Sequence, residues 1–147
     1  MTASSLSFKT AVVLAVAGIL MGIAMAASHD HSVMPAHAHL NLLGWVSLFL
    51  FGIYYKFTPI LDRGRLALAQ VAVWIVGTVI LTLGVAALYL GRAAGEPVAV
   101  AGALLLLADM VLFAVMVFRP ARSVRGLSFE MRPSAASQDE AEGVAHS

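Results

Sequence analysis

Residues 66–90 read LALAQVAVWIVGTVILTLGVAALYL, a run with no charged side chain and one amide, Gln70, near its start. At 1.5 Å per residue an α-helix of that length exceeds the roughly 30 Å of hydrocarbon in a bilayer. Three further stretches read the same way: 10–27 (TAVVLAVAGILMGIAMAA), 38–55 (AHLNLLGWVSLFLFGIYY) and 98–118 (VAVAGALLLLADMVLFAVMVF). The runs are continuous rather than alternating, which excludes the period-two pattern of a β-barrel. Pro35 and Pro97 fall at or before the first turns of the second and fourth runs, where a missing N–H costs little, and Pro59 and Pro120 follow their ends. The expected fold is an all-α bundle of four transmembrane helices.

Composition agrees with this reading. The chain has 147 residues, 61% hydrophobic and 12% charged, with mean hydropathy +0.91. Four spans consume most of that length and leave no room for a soluble catalytic domain. The absence of cysteine excludes disulfides, thiolate metal sites and thiol nucleophiles. A formal net charge of +1 gives no global field for nucleic acid, so the partner implied by the composition is the lipid bilayer.

Charge distribution predicts orientation. Lys9, Lys56, Arg63, Arg65, Arg119, Arg122, Arg125 and Arg132 share one side, and only Arg92 lies on the other. By the positive-inside rule both termini face the cytoplasm, the expected setting being a bacterial inner membrane, with loops 28–37 and 91–97 outside. Residues 119–147 are basic, then acidic, and too poor in apolar residues to form a core, so a largely disordered cytoplasmic tail is expected. The Ala24-Met25-Ala26 sequence also resembles a signal-cleavage site. The length of the apolar run and the Gly18, Gly22, Ala26 stripe favour a retained, packed helix.

Four of the five histidines, His29, His31, His37 and His39, lie within SHDHSVMPAHAH at 28–39. Imidazole is the commonest metal ligand, and Met34 and Met25 add thioethers nearby. If the second helix starts near Pro35, His37 and His39 are about 200° apart around its axis. His37 then continues a stripe through Asn41, Gly44, Leu48 and Tyr55 suited to a protein-facing surface, and is the better inward ligand. His39 sides with Leu43, Val46 and Leu50, a more lipid-like face. Met21, Met25 and His29 align on the first helix.

The stretch MPAHAHLNLLGWVSLFLFGIYYKFTP (34–59) resembles the second transmembrane helix of the large subunit of heme–copper oxidases and nitric oxide reductases, and the chain is similar to short bacterial proteins labelled subunit I-like. Aligning Ala36-His37-Ala38 and Tyr54-Tyr55 with that helix implies that His37 is an axial ligand of a low-spin heme b. The family's catalytic copper and second heme are held by histidines on later helices, and no histidine occurs here between His39 and His146. The resemblance therefore implies a heme half-site without the catalytic centre, and not an enzyme. A second axial ligand would come from His29, His31, Met25, Met34 or another copy of the chain, which makes a homo-oligomer and a respiratory or redox partner natural expectations. Arg92 is the candidate for neutralising heme propionates.

The functions expected are thus electron transfer, heme handling or gas sensing on heme b. The alternatives are copper binding or transport through His29, His31, Met34, His37 and His39, and a cofactor-free accessory subunit. Asp109, near the middle of the fourth span, needs a polar partner because a central aspartate costs about 2.5–3.5 kcal/mol on insertion scales. Ser47 and Thr78 lie at similar depth and are the expected partners, in either a structural bond or a proton relay. Asn41, Gln70 and Thr82 read as interhelical hydrogen-bonding residues, and Tyr54, Tyr55 and Tyr89 as interfacial anchors.

Overall fold

A computed structural model describes residues 1–118. The tail expected at 119–147 lies outside the described residues. Four helices carry the fold: α1 (Ala3–Ser28), α2 (Met34–Phe57), α3 (Arg65–Tyr89) and α4 (Gly95–Phe118). All four are long and apolar enough to cross a bilayer, so the chain is a multi-pass membrane protein. Exposed side chains such as Val12, Val16, Ile19, Leu83, Leu104 and Leu107 are apolar, as lipid contact requires.

The first helix starts seven residues earlier than its apolar run. Thr2 is extended and its hydroxyl accepts from the Ser5 amide at 3.3 Å, while Asp62 accepts from the Ser4 amide at 2.6 Å and from the Ser4 hydroxyl at 2.9 Å. These bonds satisfy amino-terminal donors that would otherwise be orphaned, so polar residues 4–9 stay helical. The carboxylate comes from the short Pro59–Asp62 turn of helix between α2 and α3. At the far end His29 adopts a left-handed φ of 54° and stops α1.

The helices run alternately up and down. Along α1 and α2 the contacts pair Phe8 with Gly52, Leu14 with Gly44, Asn41 with Gly18 and His37 with Gly22, an antiparallel register. Along α3 and α4 they pair Gln70 with Asp109, Gly77 with Leu106, Leu81 with Gly102 and Gly84 with Ala99. The core between α2, α3 and α4 is aromatic: Phe51 meets Trp74 edge-on at 4.9 Å and Phe113 at 4.5 Å, and Tyr54 meets Phe113 at 5.1 Å.

One feature of α2 is invisible in its hydropathy. Leu40–Ser47 is π-helical, with the wider turn closing i→i−5. Two side chains serve carbonyls of this stretch: the Ser47 hydroxyl donates to the Leu42 carbonyl at 2.9 Å, and the Trp74 indole N–H of α3 donates to the Leu43 carbonyl at 3.0 Å. Backbone acceptors in hydrocarbon must be satisfied, and these bonds hold the wide turn while tying α2 to α3.

Candidate functional site

The histidine-bearing end is formed by the α1–α2 connection and the first turns of α2. The connection has an ordered backbone: Asp30 accepts from the Ser32 amide at 2.9 Å and from the Ser32 hydroxyl, and the Met34 amide donates to the His31 carbonyl at 3.0 Å. The Ser32 hydroxyl bond, with its amide bond second, holds the Asp30 carboxyl below its ordinary pKa. His29 and His31 are exposed on this connection and Met34 at the start of α2, whereas Met25 is buried in α1. The four histidines are not gathered into a cluster: among the described residues no three His, Cys, Asp or Glu side chains converge as a metal site.

His37 lies inward, as its stripe predicts, and its ring is used for packing. A methyl group at Gly22 would meet His37 Cε1 at 3.2 Å, so α1 closes directly over the imidazole. The Asn41 amide nitrogen donates to the His37 carbonyl at 2.9 Å and lies 3.3 Å from each ring nitrogen. Asn41 itself fills the space above Gly18. The small-residue stripe of α1 thus seats the two polar side chains of α2, and a planar macrocycle has no room on that side of His37 while α1 stays in place.

His39 is arranged differently. Its Nδ1 is 2.7 Å from the Pro35 carbonyl. A carbonyl oxygen only accepts, so Nδ1 carries the hydrogen and, in the neutral ring, Nε2 presents a lone pair. A hydrogen bond that fixes the far nitrogen in this way is what orients ligating histidines and raises their basicity. His39 is half-buried, and its face of α2 continues into exposed Val46 and Leu50.

The second polar constellation is at the other end. The Tyr55 hydroxyl donates to Gln70 Oε1 at 2.9 Å, and Gln70 Nε2 donates to Asp109 Oδ2 at 2.7 Å. The partners expected for Asp109 are corrected by this chain. Ser47 is spent on its own helix at Leu42, and the buried Thr78 hydroxyl has no hydrogen-bond partner among the described residues. Thr78 stands eight residues beyond Gln70 on α3, about 12 Å further along the axis. Tyr55 is also corrected: it is fully buried in this network, while Tyr89 keeps an exposed, anchor-like position. A glutamine between phenol and carboxyl interrupts proton hopping, because its oxygen only accepts and its nitrogen only donates. The chain of bonds ties α2, α3 and α4 together, and the second Asp109 oxygen, Oδ1, is buried without a hydrogen-bond partner among the described residues.

Depth and residue type announced that Asp109 needs a partner, and Gln70 was visible as an interhelical candidate. The azimuth that joins them was not. No family model, curated protein or solved structure matches this chain.

Proposed function

We propose that this protein is a hemoprotein of the bacterial inner membrane, with both termini cytoplasmic, which holds heme b through His39 at an interface between copies. The observation that carries the reading is the His39–Pro35 hydrogen bond, which engages Nδ1 and so makes Nε2 the lone-pair nitrogen of a half-buried ring. Val46 and Leu50 on the same face supply apolar surface for a porphyrin. The resemblance of residues 34–59 to a heme-bearing helix of the oxidases supports the choice of ligand, shifted from His37 to His39 by the seating of the His37 ring against Gly22. A heme held there by His39 would supply reversible one-electron chemistry, which favours electron transfer with a redox partner.

The test is an optical spectrum of the full chain in mild detergent, with and without added hemin. A Soret band with a reduced b-type α band, lost in His39→Ala and kept in His37→Ala, is the expected result. Protein that stays colourless and takes up no hemin overturns it. Copper binding is favoured by one separate observation, the joint exposure of His29 and His31 on one short connection and of Met34 where α2 begins. Stoichiometric copper lost on replacing those three, with no heme, would select that function instead.

A further inference from the structure

At the end of the bundle away from the histidines, the start of α1 and the Pro59–Asp62 turn enclose an open recess of about 640 Å³. Lys9, Lys56 and Arg63 line it together with Phe8 and the hydroxyl residues Thr2 and Ser5. One carboxylate, Asp62, is present, and both of its oxygens are engaged by Ser4 at the head of α1. Asp62 is thereby spent on capping the helix. Among the described residues, none of the three cations is held in an ion pair, and all three are exposed.

Three cations from three separate segments against one carboxylate leave the recess net positive, which suits a singly or doubly charged oxyanion. Its position selects the source of that anion. Phe8 also stacks edge-on against Phe49 of α2 at 5.0 Å, so the recess borders the apolar flank of the α1–α2 pair where acyl chains lie. A soluble anion gains nothing from that wall. We infer that this recess binds the phosphate headgroup of an anionic phospholipid, with Lys9, Lys56 and Arg63 contacting the phosphate and Phe8 contacting the first part of an acyl chain.

The inference is independent of heme or copper at the other end, and its test uses the apoprotein or holoprotein alike. Full-length protein in mild detergent is equilibrated with phosphatidylglycerol, phosphatidylcholine or inorganic phosphate, and bound lipid is counted by native mass spectrometry. Each basic side chain near a surface is worth about fivefold in anionic lipid binding, so the K9Q/K56Q/R63Q variant should lose at least about tenfold in phosphatidylglycerol retention. A second variant, R65Q, removes an exposed cation near the same end of the bundle that does not line the recess and should lose less than about threefold. Helical circular dichroism of both variants shows that the bundle remains folded. Equal losses in the two variants, equal retention of phosphatidylcholine, or inorganic phosphate displacing the lipid at millimolar concentration would each overturn the assignment.

Discussion

Along α1 and α2, Gly18, Gly22, Gly44 and Gly52 are filled by side chains of the partner helix: Asn41, His37, Leu14 and Phe8. Along α3 and α4, Gly77 is filled by the Leu106 side chain, but Gly84, Gly95 and Gly102 are filled largely by backbone, from Val98–Ala99, from Gly84 with Ala87 and Leu88, and from Leu81. Glycine in the first seam makes sockets for polar and aromatic groups. In the second it lets two helix axes approach until main chains touch, the arrangement that gains dispersion and weak C–H···O contacts in lipid. The lesson concerns tolerance: a socket is filled by something that can move, whereas a backbone contact is not. The histidine-bearing end is therefore built on the adjustable seam, and the clamp that holds the bundle is the other one.

The comparison breaks most readily at Gly84. Gly84→Ala drives a methyl into the Ala99 main chain, and overpacking of this kind should cost about 3 kcal/mol, read from unfolding in a dodecyl sulfate titration. A loss well under that figure would mean that the seam can open. Gln70→Leu comes next: it strands the Tyr55 hydroxyl and the Asp109 carboxyl together and should cost about 2 kcal/mol. The double variant Gln70→Leu/Asp109→Leu should recover most of that loss, because no buried carboxyl is left unpaired. Gly22→Ala, the mirror of Gly84→Ala in the adjustable seam, should cost only about 1 kcal/mol, since the far edge of the His37 ring can swing aside. Its effect should be visible as a shifted His37 ring resonance while the His39 resonance stays put. Smallest of all is Ser32→Ala on the connecting loop. Asp30 has a depressed pKa, so its contribution is present above the ordinary carboxylate range and fades as the pH falls through the lowered value. Removing the Ser32 hydroxyl should move the Asp30 titration upward by NMR with no measurable change in unfolding.

Hydropathy and proline placement read the four spans directly, because twenty or so apolar residues in succession have few other physical uses. The start of α1 escaped that reading: Ser4, Ser5, Ser7 and Lys9 precede the apolar run, and the Thr2 cap together with a carboxylate 58 positions from Ser4 serves the donors of that polar start. The opposite facings of His37 and His39 were legible, since they follow from 100° per residue within two turns. Their relative merit was not. That depends on Gly22 coming to rest over one ring and on Pro35 presenting a carbonyl to the other, which are facts of packing and of local hydrogen bonding. Asp109 shows the same division, its need for a partner being a matter of dielectric and its choice of Gln70 a matter of how α3 and α4 are rotated.

The wide turn at Leu40–Ser47 sits between the imidazoles and the buried Tyr55. A π turn holds about one residue more than the α turn it replaces, and the surplus is absorbed where it occurs. Deleting one lipid-facing position there, such as Leu42, would let the stretch relax to α-helix while His39 and Tyr55 each keep their present facing. The two ends of α2 are thus decoupled in phase, and the length of this helix can be edited without re-aiming either of them.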